Sequence, residues 1–339
     1  MSKLIIGLNG FGRIGRAFTR IALRKNLFDI GLINTRRTPN DIMAYLLQHD
    51  SVYRTFEQKV TSEVNGLRVG DIPIPTSLAD SPVDIPWGDH NVSIVVDATG
   101  AFTTSEKLKG HIHNSVKKVV LTAPSKDTET AYCVLGANDA SFAFADATIV
   151  SNASCTTNCA ALMFRVLHDH FGVERGFLTT AHAYTSAQSL LDDANKDETR
   201  SRAAGLSIIP TTTGAAKAVA RVIPELTGKV DGLALRVPVP TGSFTDITAQ
   251  ISKSASIEDI NRVFQEESQG RLKGLLAYES TPLVSSDYIG NEHSCIFDSN
   301  YTNVIGGTLV KITGWYDNEW GYSTRLVELV EKLGQHMYK

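Results

Sequence analysis

The spacing of hydrophobic positions changes about halfway along this chain of 339 residues. In the first half, continuous apolar runs alternate with helical periodicity. "KLIIGLN" (3–9) ends just before Gly10 and predicts a buried parallel strand. Ile14, Ala17, Phe18, Ile21 and Ala22 then recur at helical spacing as far as Lys25. "FDIGLIN" (28–34) predicts a second strand. Ile42, Met43, Leu46 and Leu47 share one face of a second helix, with Asn40 as its expected N-cap. "VSIVVDATG" (92–100), "KKVVLTAP" (117–124) and "ATIVSNAS" (147–154) predict further buried strands, the last running into a helix over roughly 155–170. This succession opens as a βαβ unit. Residues 51–91, with several Pro and Gly and weaker alternation, read as an excursion of short antiparallel strands.

Beyond that helix the runs give way to alternation. "GFLTTAHAYT", "DGLALRVPVP", "SFTDITAQISK" and "GTLVKITGWYD" alternate apolar and polar residues, as antiparallel strands with one wet face do. "SIEDINRVFQEESQ" (256–269) is an amphipathic helix with Ser256 as N-cap and two acids in its first turn, where the helix dipole favours them. "STRLVELVEKLG" (323–334) predicts a terminal helix. The expected fold class is α/β: a nucleotide-binding domain, then an antiparallel α+β domain and a terminal helix. The length suits two domains.

Composition changes the picture only by exclusion. Apolar residues make up 42%, charged residues 20%, and 33 basic against 36 acidic residues leave a net charge of −3. That is a globular composition without the basic excess a nucleic-acid partner requires. No apolar stretch is long enough to span a membrane, and the chain enters its first strand without a signal-peptide core. Four cysteines make no disulfide framework, and Cys155 and Cys159 lack a nearby second pair for zinc. A reducing, cytoplasmic setting is expected, with no metal, membrane or nucleic acid.

Four stretches carry candidate chemistry. Gly10-Phe11-Gly12-Arg13-Ile14-Gly15 follows a strand and opens a helix, where glycines let backbone amides approach a pyrophosphate. "SNASCTTNCAAL" (151–162) delivers Cys155 to the first turn of a helix, whose dipole and free amides are expected to lower its pKa. Ser154, Thr156 and Thr157 offer hydroxyls and amides for an anion. Cys159, one turn deeper, reads as core. His182, ending the strand of "TTAHAYT" beside Thr180, Tyr184 and Thr185, is the candidate base. Thr211, Thr212, Thr213 and Gly214 precede an Ala-rich helix as a second anion cradle, and Arg236 stands in an otherwise hydrophobic strand. Arg200 lies in a polar loop. One nucleophile, one base and several anion-binding groups fit acyl chemistry on a phosphorylated substrate better than alcohol oxidation.

"NGFGRIGR", "SNASCTTNC", "PTTTGAAKAV" and "WYDNEWGYS" together resemble the phosphorylating glyceraldehyde-3-phosphate dehydrogenase family, over residues 3 to about 335. The resemblance implies a Rossmann domain of 1–154 completed by the C-terminal helix (318–339), a catalytic domain of 155–317 and a homotetramer. It implies that Cys155 attacks the aldehyde of glyceraldehyde 3-phosphate. His182 then takes the proton and assists hydride departure to the nicotinamide, and inorganic phosphate attacks the thioester. Thr185 and Arg236 would hold the substrate's phosphate. Ser154, Thr156, Thr213 and Gly214 would hold inorganic phosphate, with Arg200 between the two. On the cofactor side it implies Gly10, Gly12, Arg13, Ile14 and Gly15 at the pyrophosphate, Thr99 and Thr122 along the cofactor, Asn318 at the carboxamide and Tyr322 nearby. The alternatives are the related erythrose-4-phosphate dehydrogenases, which the threonine at 185 disfavours, and a non-catalytic scaffold, which the intact Cys155, His182 and Arg236 disfavour.

Departures from the family pattern bear on the cofactor. The NAD-using pattern reads Asn-Asp at the end of the second strand, and here Asn34 is followed by Thr35, Arg36 and Arg37. Thr35 removes the repulsion a carboxylate exerts on a 2′-phosphate and offers a hydroxyl, and Arg36 or Arg37 can pair with that phosphate. The expected cofactor is NADP, with NAD also accepted. Ala194 replaces the proline of a Leu-Pro pair and leaves room for the phosphate, while Asp193 opposes it. Asp80 stands where many members carry an arginine near the adenine, and Ala187 replaces an Asp of the substrate loop.

Overall fold

Apolar run and glycine turn follow one another as the pattern requires. Strand β1 (Ile5–Asn9) leads through Gly10–Gly12 into helix α1 (Arg13–Lys25), and β2 (Asp29–Asn34) lies parallel to β1 with Leu8 opposite Ile33. The computed structural model describes residues 3–337. After α2 (Asn40–Gln48) come a small ribbon of β3 (His49–Asp50) and β4 (Arg54–Thr55), and then β5 (Val60–Glu63), β6 (Gly66–Val69) and β7 (Ile72–Ser77). β8 (Ile94–Asp97), the short α3 (Ser105–Leu108), β9 (Lys118–Leu121), β10 (Ala131–Tyr132) and β11 (Ile149–Ser151) complete a nine-stranded sheet in the order β10-β11-β9-β8-β1-β2-β7-β6-β5. The strands from β10 to β7 run parallel, and β5–β6–β7 form the antiparallel excursion, whose last strand docks on β2. Chain order reverses on either side of β1, and open α/β sheets bind ligands at the carboxyl ends of the strands flanking such a point. Ile6, Leu8, Ile33, Val95, Val96, Val119 and Val120 are fully buried, which explains why these strands read as unbroken apolar runs.

Pro39, not Asn40, caps α2. Asn40 is the first helical residue, and its amide instead ties α2 to the excursion, donating to the Glu63 carbonyl and accepting from Thr76 Oγ1.

A second unit comprises Val134–Ala140 and Ser154–Tyr322, the remaining residues forming the first. It holds α4 (Cys155–Phe171), β12 (Val173–Ala183), β13 (Ile209–Thr212), α5 (Ala215–Val222), β14 (Val230–Val237), β15 (Ser243–Ile251), α6 (Ile257–Gln269), β16 (Leu276–Glu279), β17 (Cys295–Ile305) and β18 (Leu309–Tyr316). They make a seven-stranded sheet in the order β13-β14-β12-β15-β18-β17-β16. Pairing is mainly antiparallel, with two parallel pairs, β12–β14 and β16–β17. β15 alternates buried and half-buried residues along its length, and α4 packs against the sheet with Cys159, Leu162, Met163, Phe164 and Val166 fully buried. Ser256 caps α6 in a reciprocal capping box with Asp259. The terminal helix α7 spans Trp320–Met337 and begins before its apolar pattern does. Asp317 Oδ1 accepts from the Glu319 and Trp320 amides, both at 2.9 Å, and satisfies the orphan donors of that first turn. Among the described residues no helix is long and apolar enough to cross a membrane.

Candidate active site

A sharp turn starts the site. Ala153, fully buried, adopts a left-handed conformation (φ 54°), which L-residues rarely hold, and this aims Cys155 from the first position of α4. Ser154 caps the helix, its Oγ accepting from Thr157 N at 3.0 Å. Cys155 is half-buried, while Cys133, Cys159 and Cys295 are buried. Its Sγ lies 3.3 Å from His182 Nε2. The other ring nitrogen, Nδ1, is 2.7 Å from the Ala183 carbonyl oxygen and 2.6 Å from Arg236 Nη1. β12 and β14 are parallel here with His182 opposite Arg236, so a strand register explains why the imidazole and this half-buried guanidinium meet.

Electrostatics at this pair run against the lowered thiol pKa expected from the helix terminus. Burial comes first and pushes the Cys155 thiol up, to about 11, while the Arg236 guanidinium and hydrogen bonds from Thr156 pull it down. Burial, and then the positive charge of Arg236, depress the His182 imidazole to about 3, against the Ala183 carbonyl. Burial outweighs the Arg236 charge and the hydrogen bonds from Thr156 at this thiol.

The expected anion-binding groups lie in the second unit. Arg200 donates to Thr211 Oγ1 at 2.8 Å and pairs with Asp197. Its charge is felt at Arg236, as expected of two cations near one anion site. Thr213 Oγ1 accepts from Ala215 N at 3.2 Å beside Gly214, the N-cap of α5. Thr185 N donates to Gln188 Oε1. Thr156 Oγ1 shares a hydrogen bond with Tyr316 Oη. Asn318, nearly buried, has its Oδ1 held by Ser243 Oγ at 2.8 Å and Thr241 Oγ1 at 3.3 Å, which fixes its amide orientation; Tyr322 is buried as well.

The glycine turn before α1 lies in the first unit. Gly10 has φ +99°, and a Cβ there would meet Ala98 C and Thr99 N at 2.8 Å. At Gly12 a Cβ would meet nothing within 4 Å, so space is open over the start of α1, whose first turn carries no acid. Its first N–H groups, from Arg13 to Gly15, fit an anionic diphosphate. The Arg13 guanidinium is committed elsewhere, to both oxygens of Asp50 at 3.0 and 3.2 Å. Asn34 is committed too. Its amide donates to Asn9 Oδ1 and the Ala79 carbonyl and accepts from Ser77 Oγ and Ala79 N, so its side chain positions the loop rather than contacting a ligand. Thr35 is buried, its hydroxyl donating to the Thr38 carbonyl at 3.3 Å, which leaves lone pairs but no proton for a ligand. Arg36 pairs with Asp80 at 2.8 Å. Arg37 is exposed, with no side-chain hydrogen bond or ion pair among the described residues. Thr99 donates through N and Oγ1 to Asp97 Oδ1, and Thr122 N donates to the Asp97 carbonyl.

Sequence reasoning missed the residues that act behind these. Asp97, fully buried, also accepts from Asn9 and His111, and Trp87 Nε1 donates to His111 Nδ1. An acid closing an apolar strand, Asp97 in "VSIVVDATG", was the available signal. Tyr316 and Asp317 stood inside "WYDNEW" without an assigned task.

Comparison with known proteins agrees along the whole chain. The model described as glyceraldehyde 3-phosphate dehydrogenase, NAD binding domain, matches residues 4–105, and that of the C-terminal domain matches residues 154–318. The glyceraldehyde-3-phosphate dehydrogenase of Mycobacterium avium is 48% identical, covering 98% of this chain and 99% of the relative. That of Thermotoga maritima is 49% identical over 97% and 98%. Glyceraldehyde-3-phosphate dehydrogenase 2 of Streptomyces arenae is 46% identical over 98% and 99%.

Proposed function

Since this chain belongs to the glyceraldehyde 3-phosphate dehydrogenase family, we propose that it carries out the reversible, phosphorylating oxidation of D-glyceraldehyde 3-phosphate through a thioester on Cys155. The observation that supports this most is the 3.3 Å contact between Cys155 Sγ and His182 Nε2, with Arg236 beside the ring. Sγ adds to the aldehyde carbon while His182 takes the thiol proton at Nε2 and passes it to the carbonyl oxygen, giving a neutral hemithioacetal and a free Nε2. Nε2 then accepts the hydroxyl proton as the carbon–hydrogen bond breaks, leaving an acyl thioester. A nicotinamide dinucleotide, when bound, supplies the hydride acceptor. Thr185 and Arg236 hold the substrate's phosphate. Ser154, Thr156, Thr213 and Gly214, with Arg200, place inorganic phosphate for attack on the thioester. Covalent capture splits one difficult conversion into two easier ones. Activity that did not require phosphate or arsenate would overturn the phosphorylating reading.

The cofactor we infer is NADP, with NAD accepted. Support comes from the missing carboxylate at Thr35 and from Arg37, exposed and without a side-chain hydrogen bond or ion pair among the described residues, as the partner for a 2′-phosphate while Asp80 holds Arg36. Initial rates with both cofactors test this. Thr35→Asp is expected to lower NADP use relative to NAD by at least about tenfold, the factor that ~1.4 kcal/mol represents. An unchanged ratio would refute it.

A homotetramer is the assembly we infer. Leu190, Leu191 and Leu206, 86%, 69% and 82% exposed, are large apolar side chains of the kind that interfaces cover. A solution mass of one 36.8 kDa chain would count against it.

A further inference from the structure

Three neighbouring parallel strands of the first unit end on buried polar side chains: Asp97 on β8, Asn9 on β1 and Asn34 on β2, in that spatial order. They form one row of hydrogen bonds whose direction is fixed at every link. At one end the Ala79 amide can only donate, so the Asn34 atom that it meets at 2.9 Å is Oδ1. Asn34 Nδ2 therefore donates to Asn9 Oδ1 at 2.8 Å, and Asn9 Nδ2 to Asp97 Oδ2 at 2.9 Å. At the other end the Trp87 indole can only donate, so His111 accepts at Nδ1, 3.2 Å away, and donates from Nε2 to the same Oδ2 at 3.1 Å. Thr99 N and Oγ1 occupy Asp97 Oδ1 at 3.1 and 2.6 Å. Both halves of the row converge on one carboxylate that accepts four hydrogen bonds. An amide in its place would set N–H against N–H on one side or the other.

We propose that Asp97 is a positioning residue for the nicotinamide dinucleotide, acting through this row, with His111 and Trp87 anchoring its far end. Strand order reverses at β1, and ligands of open α/β sheets sit outside the carboxyl ends of the strands at such a point. The row spans those ends. It holds Asn34, whose carbonyl accepts from Gly10 N at 2.9 Å and so ties down the glycine turn before α1. The next residue, Thr35, donates its amide to the Ser77 carbonyl, and Ser77 Oγ returns to Asn34 Oδ1. The row also holds Ala79, whose neighbour Asp80 pairs with Arg36. The turn for the diphosphate and the residues that would discriminate its adenosine end are thus set in advance, and less of the binding energy goes to ordering them. The inference rests on the dinucleotide reading of this unit. A break in the row acts on dinucleotide affinity and leaves the chemistry at Cys155, in the other unit, as it was.

The test is titration calorimetry of the intact, dinucleotide-free protein with NADP and with NAD. Asp97→Asn is expected to raise Kd for both by at least about tenfold. His111→Leu, which takes a donor from Asp97 and the acceptor from Trp87, is expected to raise it several-fold. His111→Gln keeps an acceptor and a donor on one side chain and should recover most of that loss. In kinetics the KM for the dinucleotide rises, while kcat at saturating dinucleotide and the KM for glyceraldehyde 3-phosphate stay within about twofold of wild type. An unchanged Kd in Asp97→Asn overturns the proposal. So does an equal loss in His111→Leu and His111→Gln, or a kcat that falls in step with melting temperature, since packing alone would do that. Should Asp97→Asn not fold, the two His111 variants decide the matter. A wild type that bound neither dinucleotide would sink the cofactor reading together with the row, whereas normal wild-type binding with indifferent variants sinks the row alone.

Discussion

Tyr316 and Thr156, 160 residues apart in the chain, share a 2.9 Å hydrogen bond between their hydroxyls. Thr180 Oγ1 meets the same Oη at 2.8 Å, and the tyrosine ring stands edge-on to His182, 6.1 Å between centroids. One phenol thus joins the first turn of α4 to β12, the two elements that carry Cys155 and His182. Tyr316→Phe leaves two buried hydroxyls short of a partner, which costs about 1–3 kcal/mol. A melting temperature lower by several degrees is expected, together with reduced kcat; unchanged melting would show that the threonines satisfy each other.

Asp80 holds Arg36 on the open surface, and its carboxyl sits below the usual range through the hydrogen bond from Arg36 and the charges of Arg36 and Arg37. Asp80→Asn frees that arginine and removes an acid that feels the charge of both. The ratio of kcat/KM for NADP over NAD is expected to rise several-fold, opposite in sign to the effect of Thr35→Asp. A fall in that ratio would mean that Asp80 helps to bind the cofactor.

Exposure ranks the thiols. Cys155 is half-buried and the other three are buried, with burial raising the Cys295 thiol well above its ordinary range. Brief treatment with iodoacetamide is expected to modify Cys155 first and abolish activity in step, as read by peptide mass. Labelling of Cys159 at a matching rate would contradict the site as described.

Acid should loosen the first unit through Asp127. Burial alone would raise its carboxyl, but N–H groups of Ser105 and Thr130 and the hydroxyls of Thr130 and Ser125 dominate and lower it from 3.8 to about 2. A carboxyl lowered by folding stabilises above its unfolded pKa and loses that contribution as the pH falls through the folded value. Wild type and Asp127→Asn are therefore expected to differ most in melting temperature above about pH 4 and to converge toward about pH 2. An equal gap at both ends would remove the carboxylate's charge from the explanation.

Much of this was legible in one dimension because its signals are local. Apolar runs end at Gly10 and at the turn before Cys155 since a buried parallel strand must stop where its backbone turns toward solvent or ligand, and Ser256 heads α6 since a helix start needs an acceptor for its free amides. The sequence by itself determined the two kinds of sheet and the glycine turn before α1, and it singled out Cys155 and His182 as the candidate nucleophile and base. Tertiary structure alone decided what those residues are free to do. Asn34 and the Arg13 guanidinium, legible as cofactor contacts, are consumed by Asn9, Ser77, Ala79 and Asp50. Burial raises the Cys155 thiol, where position at a helix terminus predicts lowering. Arg236 reaches His182 only because β14 lies parallel to β12 in one register. Hydrogen-bond saturation, desolvation and strand register depend on partners tens of residues away, and no spacing along a chain encodes them.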